Sequence, residues 1–364
     1  MRKYIFALSL LIVSVGALAQ RNKTPEYIKL KNGVVITFDK NETDRSVVVF
    51  GQEGAKDSLG IKIYMKDGSC RDYLYSQIEY VAFACQGGGQ ADYTNENKNA
   101  AADLAKNKEA WRLEFPRLHQ GNDEVTYEIT HYDNDGAVNF SLEWDGAKKG
   151  NRWTCYQLHD GNMKGNAVRK NKFKEDLKIT NPDHRTTLAQ YSATSSTYAR
   201  GHLCPSDDRK CTQEQNNQTF YLSNMQPQVH GHNGGVWLSL EKKVRSYAAS
   251  PECDTLYIVK AATIDKEADI ETTTEAGLRV PKYFYMALLS YNKAADCYHA
   301  LGVWSPNYAK STTEFITIKE LQKRTDIDFF CNLPDAVEDY VESDAGDDNA
   351  RFWGITFYTG DTGE

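Results

Sequence analysis

The sequence predicts an α+β fold preceded by a small all-β module, and three observations carry that prediction. Residues 24–84 are short runs rich in Val, Ile, Tyr and Phe, broken by the turn dipeptides Asn32-Gly33 and Asp67-Gly68. A polar, glycine-rich stretch from Gly87 to Asn99 then interrupts the pattern. Beyond Leu113, β-like runs alternate with helical ones without any repeat or heptad.

At the start of the chain, Met1-Arg2-Lys3 is basic, Tyr4 to Val15 is apolar, and Ala17-Leu18-Ala19 is a small-residue cleavage site ahead of Gln20. This reads as a secretory signal peptide over residues 1–19. The apolar run is short for a membrane span of about 20 residues, so no stable membrane insertion is expected after cleavage. No Cys follows the cleavage site, so a lipid anchor is not indicated. The expected location is therefore periplasmic or secreted.

Residues 20–85 form the β module, in which Asn32-Gly33 joins Ile28-Lys29-Leu30 to Val34-Val35-Ile36, and Asp67-Gly68 joins Ile61–Tyr64 to Tyr73-Leu74-Tyr75. Both are hairpin signals, and five or six antiparallel strands are expected. The module has no cluster of His or acids at catalytic spacing, so a spacer or surface-binding role is the plainer reading and its partner is open. Residues 86–110 are linker and helix, with Ala100 to Trp111 reading as helical. In the domain over residues 111–342, strands are expected at Val138–Leu142, Trp153–Tyr156, Thr255–Val259 and Phe284–Leu289. Residues 343–364 form an acidic C-terminal segment.

The chain has 364 residues, 43 Lys+Arg against 50 Asp+Glu and 8 Cys. Its length fits about two domains, and 40% apolar with 26% charged residues excludes a disordered, collagenous or polytopic membrane chain. A net charge of -7 at first argues against a partner with a phosphate backbone. The charge is uneven, however. Residues 148–210 carry 13 Lys+Arg against six Asp+Glu, while residues 334–364 carry nine acids and only Arg351. An exported chain favours disulfides, yet the six cysteines after residue 100 alone allow 15 full pairings.

Chemistry concentrates in three segments: Tyr198-Ala199-Arg200-Gly201-His202, Ser223-Asn224-Met225-Gln226-Pro227-Gln228, and Asn233-Gly234-Gly235-Val236-Trp237-Leu238-Ser239-Leu240-Glu241. On a strand, Arg200 and His202 face the same side, placing a cation with planar donors beside a base that titrates near neutrality; the pair suits a phosphate. Trp237, Leu240 and Val244 fall at i, i+3 and i+7, so a helix over residues 235–249 should pack through that stripe. Eight residues of helix rise about 12 Å, so Asn233 and Glu241 cannot both touch one ion. With Asn233 in the entering loop, its carbonyl oxygen could ligate a hard cation that Glu241 reaches through water, as suits Mg²⁺. Taken singly, Asn233 reads as a helix N-cap and Glu241 as a half-exposed helix acid.

Together and in this order, the three segments resemble the DNA/RNA non-specific endonuclease family of the ββα-metal superfamily. Further likeness in Asn139–Asp145, Arg152-Trp153, Arg169–Asp176, Val280–Tyr285 and Phe329–Asp335 extends it over about residues 111–342. The resemblance implies a ββα-metal nuclease domain with a central antiparallel sheet. It also implies a Mg²⁺-dependent enzyme, with Mn²⁺ as a substitute, that cuts DNA and RNA without sequence preference and leaves 5′-phosphates. His202 would be the general base, Asn233 the metal ligand, Glu241 the holder of metal-bound waters, Arg200 the stabiliser of charged phosphate and Asn224 a supporting hydrogen-bonder. Arg169 is a phosphate contact whose register against Lys170 and Lys172 is open. One departure is visible: Ala199 stands where the best-known pattern has Asp.

Other readings compete. His202, Cys204, Cys211, His230 and His232 could supply a zinc site, although no C-x-x-C occurs. A Cys/His hydrolase has no Cys singled out as nucleophile. The rival from another class is a catalytically inactive, nuclease-like extracellular binding protein.

Overall fold

Successive residues of a strand point to opposite faces, so a strand buried on both faces reads as an unbroken apolar run. Tyr283–Asn292, with the sequence YFYMALLSYN, is such a strand. Phe284, Met286 and Leu288 enter one core, whereas Tyr285, Ala287 and Leu289 enter the other. The computed structural model describes residues 25–50 apart from Gly33 and Lys40, residues 58–83, and residues 94–358 apart from Asn122, Ala294 and Asp296. The signal-peptide reading and much of the linker lie outside the described residues. The chain divides into two compact units, Met1–Cys85 and Gln86–Glu364.

In the first unit the strands are β1 (Pro25–Leu30), β2 (Val35–Thr37), β3 (Thr43–Phe50), β4 (Ser58–Met65), β5 (Cys70–Leu74) and β6 (Ile78–Phe83). They form two three-stranded antiparallel sheets, β2-β1-β6 and β3-β4-β5. Ile28, Phe38, Ile61, Ile63, Met65 and Ile78 form their core. Gly68 takes a positive φ of 88° in the turn between β4 and β5, which explains the Asp67-Gly68 signal.

The second unit holds β7 (Thr126–Tyr132), β8 (Val138–Asp145), β9 (Gly150–Leu158), β10 (Tyr198–His202), β11 (Met225–Val229), β12 (Thr255–Ala262), β13 (Ile270–Thr273), β14 (Arg279–Pro281), β15 (Tyr283–Asn292), β16 (Cys297–Pro306) and β17 (Glu314–Ile316). Seven of them make the central antiparallel sheet in the order β17-β16-β15-β12-β9-β8-β7. All four strands expected in this domain are present, and the α+β class with a central antiparallel sheet holds. The ribbon β10–β11 runs into a helical segment over His232–Ala248, giving the ββα unit. Trp237, Leu240 and Val244 bury against Trp144, Ile258, Phe284 and Met286 of the first core. The opposite face is covered by Ile318, Leu321, Phe329, Phe330, Val337 and Val341.

One local expectation differs from what is found. The helix expected over residues 100–111 spans only Ala101–Lys106. Its end is set by Asn107, which turns extended and bonds through Nδ2 to the Thr130 hydroxyl at 2.8 Å. The acidic C-terminal segment contains the helix Asp347–Trp353, and Trp353 is buried edge-on against Tyr247 at 4.8 Å. The Tyr247 hydroxyl also donates to the Trp353 carbonyl, so an apolar anchor overrides the charge of its neighbours. Among the described residues, Cys155, Cys204, Cys253 and Cys331 are buried free thiols, Cys70 and Cys211 are exposed ones, and Cys297 is disulfide-bonded. No helix among the described residues is long and apolar enough to cross a membrane.

Asp328, Glu338 and Glu342 bring ligand atoms within 4.8 Å of one another, and burial pushes Glu338 to about 7 and Glu342 to about 9. Both folded-state values exceed the ordinary carboxyl value, so this cluster favours the fold at low pH. That contribution is lost as pH rises from about 4.5 through 7 to 9. Glu342→Gln keeps an acceptor for the Gln322 amide and is expected to raise the urea midpoint at pH 8 while leaving it nearly unchanged at pH 4. Urea titrations of the metal-free protein at the two pH values check this.

Candidate active site

The site begins with backbone crowding. Gly201 pairs with Gln226 across the ribbon, and a Cβ there would lie 2.3 Å from the Gln228 side-chain oxygen. Only glycine fits between Arg200 and His202, and the strand then carries both side chains on one side. His202 is buried between Phe173 and Phe220, with ring centroids at 5.8 and 5.2 Å. The Arg200 carbonyl hydrogen-bonds the ring, while Nε2 has no partner among the described residues. Burial first, and then the Arg169 and Arg200 guanidiniums, push the imidazole down to about 3. His202 is therefore neutral at pH 7, with a nitrogen lone pair free to accept a proton.

Asn224 is fully buried. Its Oδ1 accepts from the Cys204 amide at 2.8 Å, and its Nδ2 donates to the Cys204 and Thr219 carbonyls. Its hydrogen bonding is thus spent on pinning the backbone just after His202. Arg169 donates to the Ser206 hydroxyl at 2.8 Å and to Asn171 Oδ1 at 2.7 Å, and its charge acts on His202. Arg169, Lys170 and Lys172 are all exposed. Asn171 takes a positive φ of 51°, a conformation that asparagine tolerates better than most residues.

Asn233 is not in an entering loop, nor is it an N-cap. It lies inside a π-helical turn, His232–Trp237, that continues into the helix Leu238–Ala248. Eight residues make about 2.2 turns of α-helix, and the wider i→i+5 turn takes up the excess, bringing Asn233 nearly into line with Glu241. The Asn233 side chain makes no hydrogen bond to the described residues.

Glu241 is buried, not half-exposed. Burial lifts it to about 7, against the pull of the Lys260 ammonium. Lys260 Nζ, fully buried and without a hydrogen-bond partner among the described residues, lies 3.9 Å from Glu241 and 3.8 Å from Asp208. Asp208 also accepts from Arg245 at 2.8 Å and from the Tyr156 hydroxyl at 2.7 Å. The neighbouring Asp207 acts electrostatically on both His202 and Glu241, and Arg169 and Arg245 act on it in turn. The histidine and the buried acid thus share one electrostatic neighbourhood. Sequence reasoning missed Asp208, Arg245 and Lys260. Arg245 sits four residues after Glu241, and Lys260 is a lone charge within the apolar run Thr255–Ala262, so both left a readable signal.

The zinc alternative fails on geometry. Both His232 ring nitrogens are engaged, by Gln228 at 2.7 Å and Ser305 at 2.8 Å. His230 bonds the Ser195 carbonyl, Cys204 is a buried thiol pushed up to about 12, and Cys211 is exposed.

Residues 122–336, more than half the chain, match the family described as DNA/RNA non-specific endonuclease. The chain belongs to that family. Its members are hydrolases, and the resemblance read from the three motifs is borne out. The chain is similar to a nuclease of Nostoc sp., at 26% identity over 56% of this chain and 75% of that one. It is also similar to Nuclease C1 of Cunninghamella echinulata, at 32% over 50% and 76%, and to human mitochondrial nuclease EXOG, at 28% over 54% and 56%. It therefore spans little more than half of the human relative. Among solved structures it is similar to one titled "Crystal structure of the EndoG/EndoGI complex: Mechanism of EndoG inhibition", with a TM-score of 0.49, 23% identity and coverage of 59% of this chain and 88% of that one.

Removing one partner from a buried charge cluster leaves the others uncompensated. Lys260→Met is expected to lower stability by about 3 kcal/mol at pH 8, where Glu241 is ionised, and by less at pH 5, where it holds a proton. Chemical denaturation at the two pH values is the check.

Proposed function

We propose that the chain is an exported, Mg²⁺-dependent endonuclease that hydrolyses DNA and RNA without sequence preference and leaves 5′-phosphates, with Mn²⁺ as a substitute for Mg²⁺. The observation that carries this reading is His202, a neutral imidazole with an unpartnered Nε2, buried beside two guanidiniums. An anionic phosphodiester would pair with Arg200 and Arg169 and offset their positive charge. The imidazole's affinity for a proton then rises toward its ordinary range as substrate binds. His202 Nε2 takes the proton from a water that attacks phosphorus, and the phosphorus–O3′ bond breaks to leave phosphate on the 5′ side.

The residues at Asn233 and Glu241 fit a hard divalent cation. Both offer oxygen, the Asn233 amide is uncommitted, and the Glu241 carboxylate accepts no hydrogen bond among the described residues. Asn233 would hold the ion directly and Glu241 through water, because the helix rise keeps the two side chains apart. A cation held there supplies neutralisation of the charge on phosphate and on the leaving oxygen. Asn224 keeps the turn after His202 in place, and Lys260 and Arg245 hold the acids behind it. Exposed Lys170, Lys172, Lys174 and Lys178, in the basic stretch before β10, suit a polyanion that approaches His202.

The purified mature protein is expected to degrade plasmid DNA and RNA with Mg²⁺ and to lose that activity in EDTA. His202→Ala should lower kcat by about 100- to 10,000-fold, and Asn233→Ala should raise the Mg²⁺ concentration needed for half-maximal rate. Gel digestion of single- and double-stranded DNA and RNA tests this, and no cleavage by the wild type would overturn it. Export is tested separately: the mature protein should begin at Gln20 on N-terminal sequencing.

A further inference from the structure

Arg200 carries no ion pair and no side-chain hydrogen bond among the described residues, although its guanidinium must stand beside His202 to meet a phosphate. What it does have is an aromatic seat. Its Cζ lies 4.1 Å over the ring of Phe173. That ring meets Phe220 edge-on at 5.1 Å and packs against the small core of Tyr191, Leu222, Met225 and Leu278. The backbone fixes the ring in place: the Lys174 amide donates to the Phe220 carbonyl, and the Leu222 amide to the Lys174 carbonyl at 2.9 Å. The same device recurs next door, with Arg169 over Phe220 at 5.2 Å and Lys174 over Tyr221 at 4.6 Å.

A carboxylate partner would orient a guanidinium by pairing with it, and so would compete with the phosphate for the same donors and charge. An aromatic face attracts the cation through its quadrupole and leaves all five N–H donors and the full charge available. We propose that Phe173 is a positioning residue for phosphodiester cleavage, holding Arg200 by its ring face so that the guanidinium is aimed at phosphate but not neutralised. The inference rests on the function proposed above.

The test measures kcat and KM for Mg²⁺-dependent cleavage of a short DNA duplex by wild type, Phe173→Leu and Phe173→Tyr, each also in an Arg200→Met background. Leu keeps apolar bulk but has no quadrupole, and is expected to lower kcat between about 2- and 30-fold with little change in KM or melting temperature. Tyr should restore the rate to within about twofold of wild type, the tyrosine face being an equivalent seat. In the Arg200→Met background, Phe173→Leu should cost nothing further. The proposal is overturned if Leu matches wild type, if Tyr is as slow as Leu, or if Leu is as damaging without Arg200 as with it. Should the Leu variant unfold, Phe173→Met takes its place in the same comparison. A wild type that cuts nothing would instead defeat the reading of function, so the two failures are distinguishable.

Discussion

The second domain is organised around an ammonium group that makes no hydrogen bond among the described residues. Lys260 projects from the central strand β12 into a region from which water is excluded, and among the described residues its charge is met by the carboxylates of Asp208 and Glu241 and by the ring face of Tyr156 at 5.7 Å. Burying a charge is tolerable only when opposite charge is held close, so each of the three groups constrains the others. Asp208 brings in the turn that follows the His202 strand, Glu241 and Arg245 bring in the site helix, and Tyr156 ties Asp208 to strand β9. One electrostatic requirement thus couples the sheet, the loop and the helix that together present the site.

Above that charged floor, the groups suited to phosphate are held differently. Arg169, Arg200 and Lys174 lie over Phe220, Phe173 and Tyr221, and only Arg169 spends donors on side-chain oxygens. The two layers solve opposite problems. Charges in the floor must be neutralised because they are buried, whereas under the proposed function the charges above it must remain unneutralised to attract a phosphate. The aromatic residues let the second layer be ordered without being discharged.

Much of the site was legible in the sequence, because its residues are close together in the chain and local geometry decides what they do. Arg200-Gly201-His202 is readable since a strand alternates faces, and the Trp237, Leu240, Val244 stripe since a helix repeats every 3.6 residues. Asn233 lies in an i→i+5 turn rather than the expected entering loop, and such a turn leaves no periodic signature in so short a segment. Glu241 is buried rather than half-exposed because it packs toward Lys260, nineteen residues later on another element, and that pairing is made only by the fold. The acidic ending hid Trp353, since a sum of charges is blind to one anchoring side chain.

By itself, then, the sequence determined the α+β class and the sheet strands, and its three motifs carried the resemblance to the family. The class and the strands follow from periodicities that span a few residues, where covalent geometry leaves few choices. Only the tertiary structure decided that His202 is neutral with a free nitrogen, that Glu241 is a buried acid facing a lysine, and that Arg200 rests on an aromatic ring. Protonation and orientation depend on desolvation and on groups brought together from distant parts of the chain. Those quantities come into existence only when the chain is packed.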